Sequence, residues 1–319
     1  MSYTIDENTV AICMATYNGA AYLSEQIESI LKQSYSDWVL FVSDDGSSDG
    51  TKEITDEYVK RFPEKIISLE KKNNAKKGAK ANFAFVLENA KKSGDFGYFM
   101  FSDQDDVWLP DKIKITMERM KKLETEKNCP VLIHTDLKVT DGKLNVIGES
   151  FIRYRALKPE VKDLSHLLAQ NNATGCTMMW NRALNDIISL EDDGIVMHDW
   201  WMVLVACCFG TIDFVDEPTI LYRQHENNVV GATKVNTIGF IIKRLLGNNH
   251  VKDTLKRSVN QAKVFSEMYH DRLNEEDLRI IDRYGDLYEH NKFSRVSTVI
   301  NGKYLKQGIV QIIGELMYI

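Results

Sequence analysis

The 319-residue sequence has little cysteine, little proline and no long apolar run. Its 5 Pro and 18 Gly exclude collagen-like and low-complexity chains, and its 10% aromatic content argues against disorder. The five cysteines show neither zinc-ligand spacing nor a paired framework, which favours a reducing compartment. They are Cys13, Cys129, Cys176, Cys207 and Cys208. The longest apolar run, 200–209, is about ten residues and predicts a buried core helix rather than a membrane span.

The charge balance supplies no general reason to bind nucleic acid. Forty basic and 46 acidic residues give a formal charge of -6, whereas phosphate-driven affinity needs clustered Lys and Arg. After Ala232 the composition shifts, because 14 basic and 10 acidic residues give that tail a charge of +4. The first nine residues carry Asp6 and Glu7 and lack an apolar segment, so we expect no signal peptide and a cytoplasmic protein.

Short apolar runs alternate with helical patterns through the first half of the chain. We predict strands at 10–15, 38–43, 66–69 and 98–101, and helices at 21–33, 51–62, 81–92 and 112–123. This spacing predicts an α/β fold with a mainly parallel sheet flanked by helices. From 131 the pattern loosens. There we predict strands at 131–134 and 174–180, a loop through 154, a helix starting at 181, a helix at 200 and a β pair at 211–215 and 220–222.

Polar turns follow three of the predicted strands. In a parallel α/β sheet the ligand binds beyond the carboxyl ends of the strands, so these turns are the candidate site. They are Thr16-Tyr17-Asn18-Gly19, Asp44-Asp45-Gly46-Ser47 and Ser102-Asp103-Gln104-Asp105-Asp106. The first turn has one glycine and lacks the G-x-G-x-x-G pattern, which argues against an NAD-dependent oxidoreductase.

Each acidic turn has a structural and a functional interpretation. Asp103 and Asp105, spaced by one residue after a strand, suit a hard divalent cation bridging to a diphosphate, but they also suit an acidic turn before a helix. The segment 44–51 caps a helix in one interpretation and accepts the imide N-H of uracil or thymine in the other. Both interpretations can hold together, because capping leaves a carboxylate free.

The second half holds two further candidate clusters. In His198-Asp199-Trp200-Trp201 the carboxylate is either a helix cap or a general base, with the aromatics as a sugar platform. In the run 222–228, Arg223 or His225 has a functional interpretation, binding a diphosphate or a metal, and a structural one, in which the side chain only stabilises the fold.

Together these motifs resemble the family 2 glycosyltransferases of the GT-A fold, and most of all the bacterial rhamnosyltransferases that build streptococcal rhamnose-rich polysaccharide. The resemblance runs in family order from about residue 10 to 231 and also includes 174–179 and 221–229. It implies a Rossmann-like catalytic domain over 1–231, with a nucleotide-sugar half (1–130) and an acceptor half (131–231). A helical region then covers 232–319.

The resemblance also implies site roles and a mechanism. The nucleotide-sugar would contact Thr16, Tyr17, Asn18, Asp44, Asp45, Asn82, Asp103, Gln104 and Arg223. Mg²⁺ or Mn²⁺ would bind Asp103, Asp105 and His225, and the sugar or acceptor pocket would include Trp108, Gly175, Cys176, His198 and Trp200. Asp199 would be the base of an inverting transfer from dTDP-β-L-rhamnose. Many members have Glu-Asp where this chain has His198-Asp199, which leaves the role of His198 open.

The acceptor and the competing functions follow from weaker signals. The segments 304–319 and 238–246 combine apolar helical spacing with basic residues, which suits either a polyprenyl-diphosphate-linked glycan at the inner membrane face or packing, including packing in a homodimer. A UDP-hexose donor would keep the same fold and mechanism. A nucleotidyltransferase would need a basic phosphate loop that 18–21 lacks, and a non-catalytic binding protein would not need Asp103, Asp105 and Asp199.

Overall fold

Strands and helices alternate through the first part of the chain, as the apolar periodicity predicts. The computed structural model describes residues 5–72, 76–225 and 249–319, so the predicted features at 226–231 and 238–246 lie outside the described residues. The first elements are β1 (Val10–Thr16), α1 (Leu23–Leu31), β2 (Trp38–Asp44), α2 (Thr51–Arg61), β3 (Ile66–Leu69), α3 (Ala79–Ser93), β4 (Tyr98–Ser102), β5 (Val107–Trp108) and α4 (Lys112–Lys127).

The second part departs from the predictions at two strands and in the loop predicted through 154, where one strand extends to Thr140, another covers Val146–Gly148 and a helix begins at Phe151. Its elements are β6 (Val131–Thr140), β7 (Val146–Gly148), α5 (Phe151–Arg155), α6 (Leu164–Ala169), β8 (Met179–Asn181), α7 (Arg182–Asn185), α8 (His198–Phe209) and β9 (Thr211–Arg223). The strand predicted at 174–180 is wrong over most of its length, because a 3-10 turn occupies Gly175–Thr177. The β pair predicted at 211–215 and 220–222 is one strand, whose register with β6 shifts where Pro218 stands opposite Asp136.

One mixed sheet runs through the molecule in the order β3-β2-β1-β4-β8-β6-β9-β5, with β7 paired to β6. The four strands β3, β2, β1 and β4 are parallel to one another, as expected. Strand β8 is antiparallel to both of its neighbours, β4 and β6, which makes the sheet mixed, and β6 and β9 pair in parallel again over most of their length. The α/β fold with flanking helices is confirmed.

Alternate residues of the central strands supply two hydrophobic cores, one on each face of the sheet. Ala11 and Cys13 pack with α3 and α8, whereas Val10, Ile12 and Met14 pack with α1 and α4. This alternation follows from the two-residue period of a strand. Every one of these β1 side chains is fully buried, which fixes the register of the strand whose end carries the first polar turn.

Helices form the described C-terminal part of the chain. They are α9 (Asn249–Tyr269), α10 (Glu275–Gly285), α11 (Lys292–Asn301) and α12 (Ile309–Tyr318). Buried residues of α9 and α10, among them Phe265 and Tyr284, belong to the same core as α3 and α8. Among the described residues, no helix is both long enough and apolar enough to span a bilayer.

Candidate active site

Strand register brings the three polar turns to one edge of the sheet. Thr16 stands opposite Asp44 in the β1–β2 pair, and Met14 stands opposite Ser102 in the β1–β4 pair. Because β1, β2 and β4 are parallel, the turns after them emerge side by side. The structure therefore brings together the turns that the sequence marks as candidates.

Hydrogen bonds join the first turn to the second. Asn18 adopts a left-handed backbone conformation (φ 47°); its N-H donates to Ser47 Oγ at 2.8 Å, and its Oδ1 accepts from Ser48 N at 2.9 Å. Thr16 Oγ1 lies 3.1 Å from Asp44 Oδ1. The side chain of Tyr17 is 58% exposed above these contacts. The aromatic ring is thus available to a ligand, while the polar groups of its neighbours hold the turns together.

The two aspartates of the second turn have different partners. Asp44 accepts the backbone N-H groups of Gly46 and Ser47 and closes its own turn. Asp45 is buried, and its two oxygens accept from Lys71 Nζ and from the Gly78 N-H, each at 2.6 Å. Each carboxylate oxygen keeps a second lone pair, so Asp45 can still accept a ligand N-H.

Asn82 lies in the first turn of α3, directly behind the second polar turn. Its Nδ2 donates to the carbonyl of Ser43 at 2.7 Å, and the residue is 1% exposed. The buried Oδ1 has no hydrogen-bond partner among the described residues. The structure therefore places Asn82 beside the end of β2, where it holds the strand carrying the two aspartates.

Gln104 connects the third turn to the first. Its Oε1 accepts the Tyr17 N-H and its Nε2 donates to the Tyr17 carbonyl, both at 2.9 Å. A Cβ at Gly19 would overlap the Gln104 amide, so only glycine permits this approach. The Gln104 side chain thus makes the same two hydrogen bonds to the Tyr17 backbone that a residue of a neighbouring β-strand would make.

Three carboxylates and one imidazole crowd the third turn. His225 Nε2 lies 2.8 Å from Asp105 Oδ2, and the side chains of both residues are nearly buried. Burial, followed by the charge of Asp105, raises the pKa of Asp103, and the same two causes raise the pKa of Asp106. Carboxylate oxygens suit a hard divalent cation, which would relieve this repulsion. Of the predicted metal ligands, Asp105 and His225 contact each other, and Asp103 lies on the same turn as Asp105.

A thiol and an amine lie beneath these carboxylates. Ligand atoms of Asp103, Asp106 and Cys176 lie within 4.8 Å of one another, and the Cys176 thiol hydrogen-bonds Asp103. Burial raises the pKa of this thiol, so it stays protonated and is a poor ligand for a hard cation. Burial also lowers the pKa of Lys112 to about 8. Lys112 Nζ lies 4.7 Å from the ring centre of Trp108.

The carboxylate of Asp199 lies at the start of α8, on the other side of the turn at Gly175–Thr177. Burial raises its pKa to about 6, against hydrogen bonds from the backbone N-H groups of Trp200 and Gly175 and from the Asn171 side chain. The first of these is 2.6 Å long. A Cβ built on Gly175 would come within 3.4 Å of Asp199 Cβ. Because Cys176 of the same turn lies against Asp103 and Asp106, the 3-10 turn contacts both Asp199 and the carboxylates of the third polar turn.

The three aromatic residues of the predicted sugar or acceptor pocket are buried. His198 packs on Phe83 and Phe101, with ring centres 4.3 and 4.8 Å apart, and burial lowers its pKa to about 3. The Trp200 indole N-H donates to the carbonyl of Leu167 at 2.6 Å. Trp108 is 2% exposed. His198 is thus a neutral packing partner beneath Gly175.

Arg223, at the end of β9, ties four parts of the site together. Its guanidinium donates to the carbonyls of Asp105 and Gly142 at 2.9 and 2.8 Å and pairs with Glu25. The Tyr22 ring lies 4.6 Å below the guanidinium carbon and stacks on His225 at 4.8 Å.

The sequence analysis does not predict three residues that contact candidate site residues, namely Glu25, Lys71 and Asn171. Glu25 and Arg223 are separated by 198 positions, and Lys71 and Asp45 by 26. No local motif surrounds these three residues. The only available signal for Glu25 is its place on the first turn of a helix that follows a site strand.

Comparisons with known proteins identify the family of the chain. The model of the family "Glycosyl transferase family 2" matches residues 11–188, which is more than half of the chain. The dTDP-rhamnosyl transferase RfbG of Shigella flexneri is 31% identical over 229 residues, covering 69% of this chain and 74% of that protein. An Escherichia coli protein, UDP-Glc:alpha-D-GlcNAc-diphosphoundecaprenol beta-1,3-glucosyltransferase WfgD, is 29% identical over 185 residues, covering 56% and 63%.

Solved structures support the fold. The crystal structure of residues 1–349 of S. aureus TarS in complex with UDP-GlcNAc superposes with a TM-score of 0.52 at 16% identity, covering 92% of this chain and 80% of that one. The expected GT-A α/β fold is therefore confirmed. By the family match and the RfbG relationship, the chain belongs to glycosyl transferase family 2 and is a glycosyltransferase similar to a rhamnosyltransferase.

Proposed function

We propose that this glycosyltransferase moves L-rhamnose, with inversion, from dTDP-β-L-rhamnose to a lipid-linked polysaccharide acceptor. The observation that carries the proposal is the turn at Gly175–Thr177, whose Gly175 packs against Asp199 and whose Cys176 thiol lies within 4.8 Å of the carboxylates of Asp103 and Asp106. A general base and a diphosphate site must both border the reacting carbon, and the contacts of this turn support that proximity. The rhamnosyl donor is supported by the similarity to RfbG.

Asp199 is the proposed general base. A base works best when its pKa lies near the working pH, and burial raises the pKa of this carboxyl to about 6. The hydrogen bonds from Trp200 and Gly175 fix the orientation of the carboxylate. Asp199 would take the proton of the acceptor hydroxyl as that oxygen bonds to the anomeric carbon and the nucleoside diphosphate leaves.

Asp103, Asp105 and His225 would hold a divalent cation. When bound, Mg²⁺ or Mn²⁺ would stabilise the charge of the departing diphosphate. Arg223 would hold the third polar turn, which carries Asp103 and Asp105, in place through its hydrogen bond to the Asp105 carbonyl. Thr16, Tyr17, Asn18, Asp44, Asp45, Asn82 and Gln104 would form the nucleotide side, with Asp45 accepting the imide N-H of the base. Gly175 and Cys176 would form the wall of the sugar pocket, with His198, Trp108 and Trp200 supporting it from behind.

The acceptor class and the location of the protein belong to the same proposal. WfgD carries a diphosphoundecaprenol-linked acceptor in its name, which supports a lipid-linked glycan here. All five cysteines are unpaired, which supports a reducing compartment such as the cytoplasm. Because the donor named for WfgD is UDP-Glc, a UDP-hexose is the second candidate donor.

A titration combined with a transfer assay tests the proposal. Binding of dTDP-rhamnose, UDP-glucose and UDP-galactose would be measured by calorimetry with and without Mn²⁺, followed by transfer to a lipid-linked acceptor. Asp199→Asn should lose at least about a hundredfold in kcat while keeping donor affinity. Asp105→Ala should lose the Mn²⁺-dependent part of donor binding, and the fully exposed Asp271→Asn is the matched control.

Two outcomes would overturn parts of this assignment. Full activity of Asp199→Asn would remove Asp199 as the base. Tight, metal-dependent binding of a UDP-sugar with no binding of dTDP-rhamnose would replace the donor and leave the residue roles standing.

A further inference from the structure

Exposed apolar side chains are concentrated on the last two helices. Within the described ranges nine large hydrophobic side chains are exposed, and five of them lie on α11 and α12. We call these five, Phe293, Ile300, Ile309, Ile313 and Met317, the apolar ridge. Phe293 is 89% exposed and Ile309 is 77% exposed. Contiguous exposed apolar surface marks an interaction site more often than scattered single residues do.

Helical spacing puts the ridge on one face of each helix. Phe293 and Ile300 are seven residues apart, and Ile309, Ile313 and Met317 follow at intervals of four. Lys292 Nζ donates to the Met317 carbonyl at 2.8 Å, so the start of α11 adjoins the last turn of α12. Phe293 and Met317 therefore lie at the ends of the two helices that this contact joins.

The segment that carries the ridge is positively charged. Residues 292–319 contain four basic residues and one acid, a charge of +3, whereas the rest of the chain carries 36 basic and 45 acidic residues, a charge of -9. The single acid, Glu315, is buried and accepts the Lys306 N-H at 2.9 Å. Lys292 and Lys303 are exposed and Arg295 is partly exposed. The acidic protein thus has a basic segment at the helices that expose the ridge.

We propose that the apolar ridge and its three cations dock on an anionic lipid bilayer. Apolar side chains that enter the lipid interface, combined with basic residues that meet anionic headgroups, are the two contributions that give peripheral binding. A second copy of this chain fits less well, because a symmetric dimer would set +3 against +3. Docking would hold the catalytic site near a lipid-linked acceptor, and this consequence alone rests on the proposed function.

Vesicle sedimentation of the full-length protein tests the docking surface. We expect binding to vesicles of phosphatidylcholine with phosphatidylglycerol and much weaker binding to phosphatidylcholine alone. The double variant Phe293→Ser with Ile309→Ser should weaken partitioning at least about tenfold. Lys292→Gln with Lys303→Gln should weaken it about fivefold per residue at low salt. Ile147→Ser, at an exposed apolar position on β7, is the matched control and should bind as the original chain does.

Three results would overturn the inference: no binding to anionic vesicles, equal binding by the Ser double variant, or a dimer in ultracentrifugation that this variant abolishes. The last would make the ridge a subunit interface. Circular dichroism and the melting temperature establish that each variant is folded. Transfer to a short, water-soluble acceptor should be unchanged in the Ser variant, so loss of vesicle binding with retained transfer separates this inference from the proposed function.

Discussion

Tight packing at Gly175 gives a quantitative prediction for Gly175→Ala. A Cβ there would lie 2.8 Å from His198 Nε2 and 3.4 Å from Asp199 Cβ. The His198 ring cannot simply withdraw, because Phe83 and Phe101 pack against it and it is only 5% exposed. The start of α8, which carries Asp199, must therefore move.

The size of the effect follows from that geometry. Restoring an ordinary contact of about 3.5 Å needs a shift of roughly half an ångström or more in the His198–Asp199 segment. Misplacing a catalytic group by about 1 Å costs on the order of a hundredfold in rate, so a shift of half that size should cost about tenfold in kcat. Overpacking should also lower the free energy of unfolding by about 1–3 kcal/mol.

Steady-state transfer kinetics provide the assay, with kcat and the donor KM measured separately. The expected result is a lower kcat with a donor KM within about twofold, because the added Cβ would meet His198 and Asp199 rather than a side chain of the nucleotide turns. Gly142→Ala is the matched control, since the nearest atom to its Cβ would lie 3.9 Å away. A kcat within twofold of the original chain, in a folded Gly175→Ala variant, would refute the reasoning.

Three further predictions concern pH, the arginine clamp and the core. Because Asp199, with a pKa of about 6, must be deprotonated to act, kcat/KM should fall about tenfold per pH unit below about pH 6. A decline that begins only below about pH 5 would contradict the assignment of Asp199 as the base. Arg223→Lys should lower the free energy of unfolding by about 3 kcal/mol, because a lysine cannot reproduce the three guanidinium contacts, whereas the exposed Arg153→Lys should change it by under about 0.5 kcal/mol in urea titrations. Trp180→Ala should cost about 3–5 kcal/mol, and an unchanged melting temperature would rule out a central packing role for this fully buried ring.

The parallel half of the sheet could be predicted from the sequence because its signals are local. Strand β3 has the predicted bounds, and β1, β2 and β4 are each within one residue of them. A run of four or more apolar residues between turns is enough to mark a buried strand. The turn chemistry after these strands is local as well, so the residue pattern alone locates the sheet edge that carries Asp44 and Asp103.

The remaining features depend on contacts that local patterns do not encode. The segment 174–180 is apolar enough for a strand, but Gly175–Thr177 turns tightly to fit against Asp199. The 13-residue strand β9 contains Pro218, which reads as a break and is tolerated where the register with β6 shifts. The partner of Arg223, Glu25, lies on α1 at the far end of the sequence. The burial of Trp108 and Trp200 likewise depends on tertiary packing.

The pairing of Gln104 with the Tyr17 backbone has a thermodynamic consequence. The amide joins the first turn and the third turn through two hydrogen bonds of 2.9 Å, so the two turns form one rigid unit. When two ligands each favour the same arrangement of a shared unit, each raises the affinity of the other by the same factor. A cation at the third turn and a nucleotide at the first turn would therefore bind with reciprocal cooperativity. Gln104→Ala, which removes both hydrogen bonds, would then weaken that cooperativity.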